Sequence, residues 1–276
     1  MFGIAIIAAI LGGGSCGMLG YYVQRFGVTT LSFSIAHAAL AGAAVGMVFG
    51  VDMIYSAMLF ATTYAIVMGF LMSKTEHARE LISMAFFAFF NALAIFMIYI
   101  SNTTVLATSS VATILWGSVL AVTLQKIAIF ITLLILFIYY VFAFKPQIDS
   151  ILFDKKLAEA EGIDVHLHTI VILVFVSIVI ALTLKITGGF LVFSLLYNPV
   201  ASAFQISRRA NLQQIISPTL GISSALLGLA ISYILDWPVG ATIAIISTLI
   251  LFISVIYRLI INILALSMAK KRTASL

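Results

Sequence analysis

Few side chains in this sequence are able to do chemistry, and one of them lies where a polar group is least expected. His37 falls inside a long apolar run, Ser34-Ile35-Ala36-His37-Ala38-Ala39-Leu40-Ala41-Gly42. An imidazole titrates near neutral pH and ligates divalent cations through a ring nitrogen. Small neighbours let its helix pack tightly while the ring points into a gap. Two roles stay open on these residues: a ligand on a cation pathway, or a neutral ring hydrogen-bonded to a helix carbonyl. The nine carboxylates are Asp52, Glu76, Glu80, Asp149, Asp154, Glu159, Glu161, Asp164 and Asp236, and each falls in a loop or at the end of an apolar stretch. A proton- or sodium-coupled carrier holds its coupling charge on a carboxylate inside the membrane. None is available here, so the energy for any transport is expected to come from elsewhere. There is no His-Glu-x-x-His motif, no intramembrane Asp pair and no Gly-x-Ser-x-Gly to accompany His37, so no catalytic residue is assigned.

His166 and His168 alternate, and side chains at i and i+2 leave a helix in different directions. They are read as a solvated span entrance, and His77 as a surface residue. The lone Cys16 excludes an intramolecular disulfide. It sits among Gly12, Gly13, Gly14 and Gly17, where small residues let helices approach closely.

The elements that must carry these residues follow from composition. The chain is 63% hydrophobic and 8% charged, against about 25% charged for a soluble domain. It is read as an all-α polytopic membrane protein, a single transmembrane domain over 1–276. A hydrocarbon core of about 30 Å needs roughly 20 apolar residues per helix. That ruler places about nine spans near 2–23, 29–50, 53–73, 81–101, 127–144, 167–186, 189–206, 212–235 and 239–262. The first is read as a retained span and not a removable signal, because no basic segment precedes it. Residues 102–125 are expected to form an interfacial or re-entrant helix, and 264–276 a cytoplasmic tail. With residues 145–166 in the cytoplasm, twelve of the fourteen basic residues fall inside and only Lys126 and Lys185 outside. Basic residues favour the cytoplasmic face, so the N-terminus is expected outside and the C-terminus inside.

The most polar stretch is Phe153-Asp154-Lys155-Lys156-Leu157-Ala158-Glu159-Ala160-Glu161-Gly162-Ile163-Asp164. Asp154 can cap a helix starting at Lys155, and Gly162 can end it in the left-handed conformation. Phe153, Leu157 and Ala160 then share one stripe. A helix of about two turns is not stable alone in water. The segment over about 152–164 is therefore expected to dock on a soluble partner. Further along, Pro199 removes a backbone hydrogen bond inside a span. Asn198 and Pro199 are read as a helix break, lining a route or forming a packing kink. Trp237 is placed as an interfacial anchor, with Pro238 opening the next helix.

Three stretches together resemble the permease subunits of the zinc/manganese/iron class of ABC importers. The first runs from Gly20 through His37 and Gly42. The second is Phe153-Asp154…Ala158…Gly162-Ile163. The third is Gly189-x-Leu191-Val192-x-x-Leu195-Leu196-x-x-Pro199-x-Ala201-x-Ala203, followed by Ser232-Tyr233-x-x-Asp236-x-Pro238-x-Gly240-Ala241. The resemblance implies an architecture similar to the cobalamin- and siderophore-type importers. It implies a homodimer in the inner membrane, two ABC ATPase subunits and an extracytoplasmic metal-binding protein.

On the same resemblance, Asp154, Leu157, Ala158, Gly162 and Ile163 belong to the ATPase coupling helix, and His37 lines the metal route. No cofactor is expected on this chain. ATP would be bound and hydrolysed on the partner subunit, because no Gly-x-x-x-x-Gly-Lys-Ser/Thr loop is present. The divalent metal is cargo.

One position departs from the family pattern. The family commonly has an acid four residues before this histidine, and here the position holds Phe33. An Asp–His pair holds a divalent cation well. Without the carboxylate, either Ser34 and water complete a looser site or the route passes the metal without holding it. The choice among zinc, manganese and iron stays open. The rival readings are a stand-alone secondary carrier or channel, and a membrane scaffold whose polar segment only recruits a partner.

Overall fold

Residue size decides which helix lies at the centre. The computed structural model describes residues 2–72, 78–101, 117, 123–188 and 192–273, and apart from short turns these residues are helical. In order they form α1 (Phe2–Arg25), α2 (Thr29–Phe49), α3 (Met53–Met72), α4 (Arg79–Ile100), α5 (Leu124–Ala143), α6 (Lys145–Phe153), α7 (Lys155–Ala160), α8 (Val165–Thr187), α9 (Val192–Ile206), α10 (Ala210–Leu235) and α11 (Val239–Thr273). Eight of these helices are long and apolar enough to cross a membrane, and α9 is a shorter apolar helix. The chain is an all-α, multi-pass membrane protein.

α2 carries Ala36, Ala38, Ala39, Ala41, Ala43, Ala44, Gly42 and Gly46, and no bulky face keeps neighbours away. It packs against α3, α4 and α8, and 83% of its span is buried, against 17% for α4 and for α5. α1 and α10 form the most extensive helix pair, and their backbones touch through Gly13 and Gly221. A Cβ on Gly221 would lie 2.1 Å from the Gly13 carbonyl oxygen, so only glycine permits this crossing. Ser217 Oγ adds a hydrogen bond to the Gly17 carbonyl at 2.6 Å. α9 lies against α10 and α11 and also meets α1.

Four expectations change. α5 starts at Leu124, three residues earlier than its apolar core suggests, while the helix expected over 102–125 otherwise lies outside the described residues. The span expected over 189–206 is described from Val192 onward as a helix of 15 residues, a shorter apolar helix than the other eight, with 189–191 outside the described residues. Residues 264–273, expected as a tail, continue α11, whose 35 residues extend about 52 Å. α6 is an additional helix. Pro146 sits in its first turn, where a missing N–H costs no helical bond, and Ile148 and Ile151 are buried.

Polar contacts gather at the two ends of the bundle. At one end Lys155 Nζ donates to the Phe26 carbonyl between α1 and α2. Arg25 donates to Gln213 Oε1 at 2.6 Å, and Gln213 Nε2 in turn donates to the Ser207 carbonyl at 2.7 Å. At the other end Lys126 pairs with Asp52 at 2.9 Å.

The glycine contact gives the first prediction. Gly221→Leu should abolish the monodisperse peak of detergent-extracted protein in size-exclusion chromatography. Gly3→Ala, whose Cβ would meet nothing within 4 Å, should leave that peak unchanged.

Candidate functional site

His37 lies eight residues into α2, about 12 Å from its start, and is 3% exposed. Its Nδ1 is 3.1 Å from the Phe33 carbonyl oxygen. A carbonyl only accepts, so Nδ1 carries the proton and Nε2 the lone pair. The ring does not point into a gap. Its centroid is 5.0 Å from that of Phe33, 4.4 Å from Phe87 on α4 and 6.4 Å from Phe193 on α9. Phe33 also meets Phe87 at 4.9 Å and Phe193 at 5.1 Å. Three helices therefore converge on one imidazole through three phenyl rings, at separations typical of aromatic contact.

Ser34 faces a different neighbour. Its Oγ donates within α2 towards the Leu31 and Thr30 carbonyls and accepts from Tyr64 of α3 at 3.1 Å. Ser34 thus turns to α3, whereas the rings of Phe87 and Phe193 reach His37 from α4 and α9. Among the described residues no three His, Cys, Asp or Glu side chains form a group able to hold a metal ion.

Two stripes run from the ring cluster toward the end of the bundle that holds Lys155. On α2 the stripe is His37, Phe33 and Thr29, each four residues apart; on α9 it is Phe193, Tyr197, Ala201 and Gln205, also four apart. Residues at that spacing share a helix face. Tyr197 Oη donates to the Thr29 carbonyl at 2.9 Å and lies 2.7 Å from Ser32 Oγ. A cavity of about 260 Å³ opens between the stripes, lined by Gln24, Thr29, Tyr197, Ala201 and Gln205. The aromatic cluster is thus followed along the same two helix faces by a cavity of mixed lining, where Gln24, Thr29, Tyr197 and Gln205 stand beside the apolar Val200 and Phe204.

α9 is continuous through Pro199, so the break expected there is absent. Asn198 turns to α11, where its Nδ2 donates to Ser247 and Thr248, both at 3.0 Å. The prediction for His168 is corrected as well. Its ring is buried and lies 2.5 Å from the Tyr140 hydroxyl of α5, which ties the start of α8 to the end of α5.

The polar segment folds as its residues require. Asp154 Oδ1 accepts from the backbone N–H of Lys156 and Leu157, at 2.8 and 3.1 Å. At the other end Gly162 has φ +83°, a conformation costly for any residue with a Cβ. The Gly162 N–H reaches the Glu159 carbonyl and the Ile163 N–H the Ala158 carbonyl, both at 3.0 Å. That pair is the Schellman arrangement, and Ile163 completes it by packing inward.

Ala158 is fully buried, whereas Phe153 is 83% and Leu157 47% exposed. α7 thus seats one side on the bundle and presents an apolar stripe outward. Its inner side also carries Lys155, whose ammonium holds the Phe26 carbonyl. Sequence reasoning missed Lys155, Phe87 and Phe193. The dense phenylalanine run Phe86-Phe87 and Phe89-Phe90 was the one available hint.

The ABC 3 transport family matches this chain over residues 1–258. The chain belongs to that family. The manganese transport system membrane protein MntC of Listeria innocua is 28% identical over 254 residues, which cover 92% of this chain and 89% of that protein. The manganese import system permease protein ScaB of Streptococcus gordonii is 26% identical over 250 residues, covering 91% and 88%. The structure of PsaBC from Streptococcus pneumoniae in complex with Fab matches with a TM-score of 0.78 at 24% identity, covering 91% of this chain and 89% of that one. This last likeness establishes a shared fold.

In this ABC 3 member the cap at Asp154 gives a local test. An N-cap carboxylate is worth about 1 kcal/mol. Asp154→Ala should speed amide hydrogen exchange of Lys156 and Leu157 about fivefold, read by mass spectrometry, with exchange in α2 unchanged.

Proposed function

We propose that this chain is the membrane-spanning permease of an ATP-driven importer of divalent metal cations, with manganese the foremost cargo among manganese, zinc and iron. The names of MntC and ScaB support the choice of ion. The observation that carries the mechanism is α7: a capped, two-turn helix with an outward apolar stripe and an inward lysine on the turn that opens α2. In this reading the permease works as a homodimer in the cell membrane. A separate ATPase subunit docks on Phe153, Leu157 and Ala160, and an extracytoplasmic binding protein delivers the ion at the opposite end. The end holding Lys155, Arg25 and Gln213 faces the cytoplasm, so the N-terminus is outside and the C-terminus inside.

No residue of this chain makes or breaks a covalent bond. Ala158, Ile148 and Ile151 seat α6 and α7 on the bundle, so a push on the outer stripe moves both helices together. Lys155 passes that displacement to the Phe26 carbonyl and hence to the first turn of α2. A charge-assisted hydrogen bond is worth about 1.5–3 kcal/mol. Movement at the base of α2 shifts His37 against the rings of α4 and α9. The ion then meets Nε2 of His37 and leaves through the cavity beside Tyr197. Gly162 and Ile163 fix where the segment turns back into α8, and Asn198 with Pro199 holds the far side of α9 against α11. Such a drive requires the ATPase to bind α7 differently in the two states of the permease, because a partner with equal affinity for both shifts neither.

The test is uptake into proteoliposomes holding the permease with its ATPase and binding protein. Wild type should accumulate manganese only with ATP. His37→Ala should lower the rate at least about tenfold, the scale of losing one metal-ligand contact. Lys155→Met should leave ATP hydrolysis in place while uptake falls, and Lys155→Arg should restore uptake. Accumulation without the ATPase would instead identify a secondary carrier. ATPase capture with no uptake of manganese, zinc or iron would identify a scaffold.

A further inference from the structure

We propose that Phe33, with Phe87 and Phe193, makes the middle of this route a dry gate that passes the cation without storing it. The inference rests on the importer reading and concerns what the ion meets halfway. Four observations combine. Phe33 and His37 contact each other, and each contacts both Phe87 and Phe193, with centroids 4.4 to 6.4 Å apart, which leaves no passage for a hydrated ion between the α2 rings and either phenyl ring. The rings come from α2, α4 and α9, so moving any one helix opens the cluster.

The second observation is the ligand count. A first-row divalent metal takes at least four nitrogen, oxygen or sulfur ligands. Here the described residues offer one histidine nitrogen, and no group of three His, Cys, Asp or Glu accompanies it. The third is Phe33 itself. It occupies the position one turn before His37, on the same face, where a side-chain oxygen would have supplied a second ligand. It supplies only a ring edge and a carbonyl already bonded to Nδ1.

The fourth is the change of surface along the stripes. One turn beyond Phe193 on α9 comes Tyr197, and one turn beyond Phe33 on α2 comes Thr29; both line the cavity of about 260 Å³ that Gln24 and Gln205 also border. The cluster thus lies one turn from a cavity where hydroxyl and amide side chains first join the apolar ones. Apolar constrictions of this kind close by expelling water and open when their walls separate. Ion selection then belongs to the step before the gate, at delivery, and His37 offers a transient single ligand as the rings part.

The experiment counts metal on the purified permease–ATPase complex without the binding protein, equilibrated with manganese or zinc and then desalted. Wild type should carry no more metal per chain than His37→Ala. Phe33→Asp should retain about one additional ion per chain, because a carboxylate one turn from an imidazole completes a pair. That ion should be lost in Phe33→Asp combined with His37→Ala. In proteoliposomes preloaded with manganese and supplied with no ATP, Phe33→Ala should leak about tenfold faster than wild type, as an apolar closure shorn of a ring would.

One ion per wild-type chain, lost on His37→Ala, would overturn the proposal, since the centre would then be a binding site. A Phe33→Ala leak equal to wild type would overturn the gate. The wild-type metal count stands even if the Phe33 variants fail to insert. Absence of ATP-driven uptake by wild type would refute the importer reading instead, which separates the two failures.

Discussion

Close approach to α2 is the constraint on which the rest of this structure depends. A helix surrounded by other helices must present small residues in nearly every direction, because large ones hold the neighbours apart. The alanine and glycine content of α2 satisfies that demand. Gly42 shows how tight the fit is, since a Cβ there would lie 2.7 Å from the Ser56 carbonyl oxygen of α3, while Ser56 Oγ donates to the Gly42 carbonyl at 2.6 Å. Once α3, α4 and α8 have closed around α2, its two rings, Phe33 and His37, have one place to go. They fill the junction with α4 and α9. The position of the imidazole is therefore a product of the small residues around it as much as of its own chemistry.

The same tight packing makes α2 a poor place for independent motion and a good conductor of imposed motion. Protein interiors transmit strain because they are close-packed. A displacement at Phe26 enters α2 at its first turn and reaches His37 about 12 Å away along a rigid rod. By contrast α4 is buried over only 17% of its span and meets α2 chiefly along one face, so it can move with less disturbance. α9 is tied to α2 by Tyr197 and to α11 by Asn198. Helices with such different restraints are the elements between which a closed cluster can open.

Much of the fold was legible in the sequence because lipid imposes a length rule that short-range pattern obeys. The apolar runs gave the spans, and the cap at Asp154 and the left-handed Gly162 were readable because each is a local signal tied to one backbone conformation. α6 was missed for the converse reason. A nine-residue helix beginning Lys145-Pro146, wedged between a span and a polar run, has the composition of a loop, and only the burial of Ile148 and Ile151 makes it helical in effect. Pro199 misled because a proline inside a helix removes one hydrogen bond without forcing a break when neighbouring helices hold the backbone. The site was half legible. His37 stood out as a polar residue in an apolar run, but Phe87 and Phe193 come from distant parts of the chain and nothing local distinguishes them from other phenylalanines. The small residues flanking His37 suggested an open gap; they instead admit the helices whose phenyl rings fill it.

On the proposed route, Phe33 beside His37 bears on how fast a cation crosses. A site that binds at micromolar strength holds its ion in a well of about 8 kcal/mol. That energy must be returned by a change of conformation before release into the cavity beside Tyr197. A single imidazole in an apolar junction makes a much shallower well, because most of the metal's ligands remain water that the rings exclude until they separate. In the proposed mechanism the barrier lies in opening the rings, the step that an ATPase pushing on α7 would drive through Lys155. On this view a phenyl ring at position 33, where a carboxylate would bind the ion, exchanges retention for control. The ion is not captured in mid-membrane, and its passage is set by the helices that carry the rings.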